Sequence, residues 1–231
     1  MNIGIIGSST VAQTLGEKLL LVGHAVMISA RDPHVPKDLG PRGVVPAAGV
    51  WATTNFDLGR EAAAGTFAEA AAFGELLVNA TAGAVSLAAL DAADRADIEG
   101  KILLDLSNPL DFSRGMPPGL AFCNYDSLGE RLQAAYPGAR VVKTLNTVNV
   151  GVMVDPGRLG EETDVFIAGN DADAKAWVRE NVLESWLGWT RVVDLGDITA
   201  ARAMEMYLPL WVRLLGATGT AFLNVRLVVA P

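Results

Sequence analysis

Residues 2–31 read NIGIIGSSTVAQTLGEKLLLVGHAVMISAR, and their pattern decides the fold. Asn2 to Ile6 is a short apolar run that Gly7 interrupts. Val11, Leu15, Leu19 and Val22 then recur at helical spacing. Gly23 stops the helix, and Ala25 to Ser29 is a second apolar run. Strand, tight turn, helix and strand in that order open a βαβ unit of the dinucleotide-binding kind. A helix N-terminus behind a small-residue turn is an anion site, because its free N–H groups and its dipole both point at a phosphate.

The turn departs from the usual G-x-G-x-x-G/A pattern. It reads Gly7-Ser8-Ser9-Thr10-Val11-Ala12, with Ser9 at the second glycine position and Ala12 at the third. These six residues are the expected pyrophosphate-binding turn. Ser9 either donates a hydrogen bond to the ligand or crowds it, and the second case describes a βαβ unit that has lost its nucleotide. The end of the second strand selects the cofactor. An NAD enzyme places Asp or Glu there to bind the ribose 2′-hydroxyl. This chain places Ala30 there, followed by Arg31, whose guanidinium can fork onto a 2′-phosphate. The pattern therefore predicts NADP(H) rather than NAD. Asp32 lies next door, and the competing reading is a solvated Arg–Asp loop pair.

Composition narrows the class. The 231 residues are 51% hydrophobic and 19% charged, enough for a sizeable core. A net charge of −8 argues against nucleic acid and anionic membrane as partners. Cys123 is the only cysteine and His24 and His34 the only histidines. That excludes an internal disulfide and a cysteine-based metal site, and leaves a histidine metal cluster or a Ser-His-Asp triad without material. No apolar run reaches the roughly 18 residues of a membrane span, and the N-terminus reads as a strand rather than a leader. The expected setting is a reducing cytoplasm.

The rest of the chain alternates strands and helices. Residues 33–60 contain Pro33, Pro36, Pro41 and Pro46 and read as an irregular excursion with a short helix. Strands are expected at Ala62–Gly65, Glu75–Ala80, Lys101–Leu106, Ala139–Leu145, Asp164–Ala168 and Arg191–Asp194. Helices are expected from Thr66 to Phe73, Val85 to Ala93, Ser127 to Ala135 and Asp171 to Leu183. A last long helix follows Asp197 or Thr199 and is kinked by Pro209. Residues 110–124 read as a loop. The apolar tail Ala221–Val229 reads as core packing or, more sharply, as a homodimer contact.

The expected fold is α/β: a Rossmann-type, doubly wound, mostly parallel sheet with a small C-terminal helical extension. Residues 1–150 form the dinucleotide-binding domain. Residues 151–231 form an extension on the same sheet rather than a clearly separate domain. Ligands in such sheets lie beyond the C-terminal strand ends. That edge collects Ala80, Thr81 and Ala82, then Asn108, then Asn146 and Thr147, together with the first turn and Ala30-Arg31.

Four blocks resemble a known family: IGIIGSSTVAQTL…GHAVMISARDP, DLSNPLD, SLGERLQAAYPGARVVKTLNT and VVDLGDITAARAMEMYLPLW. They resemble the coenzyme F420-dependent NADP oxidoreductases, whose relatives include the reductase domain of the STEAP metalloreductases. The resemblance implies hydride transfer between NADPH and a deazaflavin. By position it implies that Ser8 to Val11 hold the pyrophosphate and Arg31 the 2′-phosphate. It also implies that Ala80 to Ala82 lie near the nicotinamide ribose, and that Asn146 and Thr147 face the hydride-transfer site. Archaeal members carry histidine at the position of Asn146, proline at that of Asn149 and a bulky residue near Gly83, all toward the deazaflavin.

The expected function is thus that of an NADP(H)-dependent oxidoreductase working on coenzyme F420 or a related small acceptor. Asn146 and Thr147 are the candidates for a catalytic role, and no metal is expected. Two other readings stay open: a non-catalytic NADP(H)-binding sensor module, and an NADPH-dependent reductase of a flavin, quinone or imine.

Overall fold

The computed structural model describes residues 1–38, 43–57 and 61–230. Strands are β1 (Asn2–Ile6), β2 (Ala25–Ser29), β3 (Lys37–Asp38), β4 (Val44–Val45), β5 (Ala62–Gly65), β6 (Leu76–Asn79), β7 (Ile102–Asp105), β8 (Leu110–Asp111), β9 (Gly119–Leu120), β10 (Arg140–Thr144), β11 (Val165–Gly169) and β12 (Val192–Asp194). Helices are α1 (Thr10–Leu21), α2 (Ala48–Thr54), α3 (Phe67–Phe73), α4 (Ser86–Leu90), α5 (Leu128–Ala135), α6 (Val150–Met153), α7 (Ala172–Trp177), α8 (Ala201–Met206) and α9 (Leu208–Thr218).

Eight of the described strands form one sheet in the order β12-β11-β10-β7-β6-β1-β2-β5. Six are parallel; β11 runs antiparallel to β10, and β12 parallel to β11. This is a doubly wound sheet, and its order reverses between β1 and β6. Both faces are covered, which is why the strands read as continuous apolar runs rather than alternating ones. Leu76 and Val78 pack into the core that holds Leu15, Ile28 and Trp51, while Leu77 packs on the other face with Ala70, Leu132 and Tyr136. The C-terminal extension adds β11 and β12 to the same sheet.

Local chemistry sets the helix starts. Thr66 and Glu69 make a reciprocal capping box at α3, and Ser127 caps α5. The expected helix over 171–183 begins at Ala172 behind an Asp171 cap, then widens to π-type winding over Val178–Trp186. The wider coil carries Trp186 edge-on against Trp177, with ring centroids 5.6 Å apart. The single kinked helix expected after Asp197 is instead a short 3₁₀ turn and two helices that join at Tyr207. Pro209 sits in the first turn of α9, where its missing N–H is not needed.

The excursion over 33–60 contains the β3–β4 ribbon and α2 within its described residues; residues 39–42 and 58–60 lie outside them. Trp51 of α2 is buried and donates its indole N–H to the Gln13 carbonyl at 3.1 Å, clamping α2 onto α1. The loop over 110–124 carries the β8–β9 ribbon. Core packing of the 221–229 tail is overturned: Val228 is 83% exposed and Val229 75%. The tail runs extended beside Asp164, whose N–H donates to Val225 and whose carboxylate accepts from the Leu227 N–H.

Candidate active site

The C-terminal ends of β1, β2 and β6 open on a cavity of about 540 Å³ at the point where the strand order reverses. Its floor is the turn after β1. Gly7 has φ +124°, and a Cβ there would stand 2.9 Å from the Ala80 carbonyl oxygen. Only a bare backbone fits between the two loops. Ser9 does not crowd the cavity. Its hydroxyl donates to the Ala80 carbonyl at 3.1 Å and accepts from the Ala12 N–H at 3.4 Å, so it caps α1 and ties the two loops together. The N–H groups of Thr10 and Val11 are left without an intrahelical acceptor at the head of a twelve-residue helix.

The wall on the β2 side is set by Ser29. Its hydroxyl donates to the Ile5 carbonyl at 2.8 Å and accepts from the Gly7 N–H at 3.3 Å. Arg31 lines the mouth just beyond it, and so does Lys37 of the β3–β4 ribbon. Asp32 also lines it, with one carboxylate oxygen accepting from the His34 N–H at 2.9 Å. Phe67, Val85 and Ala89 supply an apolar face.

Of the residues singled out from sequence, Gly7, Ser8, Ser9, Ala30, Arg31, Ala80, Thr81 and Ala82 meet around this one cavity. Thr10, Val11 and Ala12 do not line it. Thr10 opens α1, Val11 packs against the core, and Ala12 is wholly buried between helix and sheet. Asn108, Asn146 and Thr147 also lie off the cavity. Asn146 and Thr147 are buried in the turn after β10, and Asn108 in the turn after β7 is half-buried. Asn108 and Asn146 grip each other reciprocally: Asn108 Nδ2 donates to the Asn146 carbonyl at 2.9 Å, and Asn146 Nδ2 to Asn108 Oδ1 at 2.9 Å. Leu145 just before them adopts φ 60°, a left-handed conformation costly for a branched side chain. Among the described residues, Asn146 Oδ1 and Thr147 Oγ1 are buried polar atoms without a hydrogen-bond partner. A strained turn that holds two unsatisfied oxygens is the kind of place where a ligand completes the bonding.

Sequence reasoning missed two parts of the site. Lys37 sits in a stretch that reads as irregular, so nothing placed it beside Arg31. The other is a buried ion cluster behind the β6 and β7 loops. Lys143, fully buried, donates to Asp105 Oδ2 at 2.8 Å, to the Ser107 carbonyl at 2.5 Å and to Glu205 Oε1 at 2.9 Å. Glu205 also accepts the N–H groups of Leu128 and Gly129 and so caps α5. Burial alone would lower the Lys143 pKa, but the charges of Asp105 and Glu205 reverse the direction and hold it up. Burial raises that of Glu205 against the pull of Lys143.

A crystal structure of an Arthrobacter sp. FB24 protein, provisionally described as an F420-dependent NADP reductase, superposes on this chain with a TM-score of 0.88. It is 49% identical, across 99% of this chain and 100% of that one. The chain belongs to the F420-dependent NADP reductase family. The family match spans the sheet and the C-terminal helices alike. Metalloreductase STEAP3 from Rattus norvegicus is 27% identical over 213 residues, which is 90% of this chain and 37% of that longer protein. An imine reductase from Aspergillus terreus, solved with NADPH4 and dibenz[c,e]azepine, shares the fold at 16% identity and a TM-score of 0.60, over 94% of this chain and 62% of that one. No family model matches the chain.

Proposed function

We propose that this chain is an NADP(H)-dependent oxidoreductase that transfers a hydride between NADPH and a deazaflavin or a related small acceptor. The observation that carries the reading is the cavity at the switch point. It joins a bare-backbone turn, the Ser9 cap at the head of α1 and two cations, Arg31 and Lys37. The residues fit a dinucleotide phosphate. The Thr10 and Val11 N–H groups receive the pyrophosphate, Ser8 and Ser9 line it, and Arg31 with Lys37 receives the 2′-phosphate. When bound, NADPH supplies the hydride.

The protein's own part is orientation and exclusion of water. The nicotinamide half falls on the β6 side of the switch point, against Ala80, Thr81 and Ala82. Asn146 Oδ1 and Thr147 Oγ1 lie off the cavity, buried in the turn after β10, so a part for them in orienting the rings requires that turn to open when the ligand binds. Acid–base chemistry is not required of them. Family membership supports coenzyme F420 as the acceptor.

The second part of the reading is a homodimer. Leu208 is the one buried residue of α9, while Leu210 is 54% exposed on a helix of sequence LPLWVRLLGAT. An apolar helix and tail left this open fit a second copy of the same surface. The exposed free Cys123 suits a reducing cytoplasm.

Anaerobic equilibrium titration with NADPH and NADH tests the cofactor. A panel of oxidised F420, FMN, a quinone and a cyclic imine tests the acceptor. The reading expects tighter NADPH binding and turnover with F420. NADPH binding without turnover on any acceptor would favour a sensor module, and turnover with FMN alone a flavin reductase.

A further inference from the structure

The buried ion cluster is not used by the hydride-transfer reading, yet it is wired to the cavity. Asn79 ends β6 and is fully buried. Its Nδ2 donates to Asp105 Oδ1 at 2.9 Å and to Ser107 Oγ at 3.1 Å. Its Oδ1 accepts from the Thr81 hydroxyl at 2.8 Å and the Thr81 N–H at 3.3 Å. The amide can stand only this way round. The Thr81 backbone N–H can only donate, so it demands the oxygen. Asp105 is a carboxylate held by Lys143, Ser107 N–H and Ser107 Oγ, so it demands the nitrogen.

That orientation settles the next bond. The single proton of the Thr81 hydroxyl is spent on Asn79 Oδ1. Ser86 Oγ lies 2.7 Å from Thr81 Oγ1 and, given that direction, must be the donor of their bond. Thr81 Oγ1 then has one lone pair left, and Thr81 lines the cavity.

We propose that Asn79 and the Asp105–Lys143 pair are positioning residues that fix the sense of the Thr81 hydroxyl, so that it presents an acceptor to the nicotinamide half of the cofactor. The complementary ligand group is a donor: a ribose hydroxyl or the carboxamide N–H. A ligand that offers only acceptors there is rejected, because meeting it would leave Asn79 Oδ1 without its hydroxyl partner in a buried network. None of the three positioning residues needs to touch the ligand. The inference rests on reading the cavity as the dinucleotide site.

The test compares two ligands by titration: NADPH, and adenosine 2′,5′-bisphosphate, which lacks the nicotinamide half. Four proteins are set beside the parent: Thr81→Val, Thr81→Ser, Asn79→Leu, and the double variant Asp105→Leu with Lys143→Met, which removes the acceptor that holds Asn79 Nδ2 together with its lysine partner. NADPH affinity should fall about tenfold in Thr81→Val, Asn79→Leu and the double variant, the loss expected for one hydrogen bond to a preset partner. Thr81→Ser should bind NADPH as the parent does, and the bisphosphate should bind equally to all five. Unchanged NADPH affinity in both Asn79→Leu and the double variant would overturn the proposal, as would an equal loss for the two ligands. If the parent binds neither ligand, the cavity reading itself fails and takes this inference with it.

Discussion

Replacing Gly7 by alanine should damage both stability and cofactor binding, and the structure says by how much. The new Cβ would stand 2.9 Å from the Ala80 oxygen and 3.0 Å from its carbonyl carbon. Both are backbone atoms, so no side chain can swing away. At φ +124° the residue also occupies a region that L side chains avoid, worth about 1–3 kcal/mol by itself. Displacing the β6 loop adds about 1–3 kcal/mol of overpacking. Together these put the loss at about 2–6 kcal/mol, measured as the shift in the urea midpoint. The displaced loop carries the Ala80 carbonyl that holds Ser9, so the phosphate turn moves with it. NADPH binding should therefore fall even under conditions where the variant is fully folded. Gly23→Ala is the control. Gly23 also has positive φ, +92°, but a Cβ there meets nothing within 4 Å. It should cost only the backbone part, about 1 kcal/mol, and leave NADPH affinity alone. Equal effects of the two substitutions on stability and on binding would refute the close-approach argument.

Other outcomes follow from the same geometry. Arg31→Ala should weaken NADPH about tenfold or more while sparing NADH, and Lys37→Ala should do the same more weakly, about two- to fivefold, since an exposed lysine is a looser phosphate partner; equal losses for NADH would remove the 2′-phosphate assignment. Arg202 donates to both carboxylate oxygens of Glu130 at 2.8 and 2.5 Å and holds its pKa below the ordinary 4.5. A depressed folded pKa gives stability that is present above 4.5 and lost as pH falls through the lowered value. Glu130→Gln should thus cost about 0.5–1 kcal/mol at neutral pH, with the gap to the parent in denaturant midpoints narrowing as pH falls below 4.5. Leu210→Glu combined with Leu214→Glu should convert a dimer to a monomer in light scattering, and an unchanged mass would separate α9 from the interface.

Much of this molecule was legible in its sequence because local rules suffice where both faces of a strand are buried. The runs at Asn2–Ile6 and Ala25–Ser29 are strands over those same residues, since glycine breaks punctuate them. The helices expected from Thr66 and Ser127 begin there, each behind a side-chain cap. The features that escaped depend on partners far away in the chain or on single bonds. A two-residue strand such as Lys37–Asp38 has no period to read. The π-type winding after Trp177 turns on one-residue shifts in bonding that composition does not encode. Pro209 signalled a disturbance, but whether it bends a helix or sits in the first turn of a new one is not written in the local sequence. Lys143 reads as an ordinary strand residue, because its partners Asp105 and Glu205 lie 38 and 62 positions away. At the site, the first turn and the strand-end rule together named eight residues that line one cavity, but they could not tell that Asn146 and Thr147 would be sealed in a strained turn.

The most direct test of the central claim follows the hydride itself. NADPH deuterated at nicotinamide C4, prepared as each of its two stereoisomers, is mixed anaerobically with oxidised F420 and the protein. The deazaflavin product is then weighed by mass spectrometry. The account predicts that one stereoisomer bleaches the deazaflavin and delivers a single deuterium to carbon, while the other delivers hydrogen. Reduced deazaflavin that carries no deuterium from either isomer, or no reduction while NADPH is bound, would contradict it.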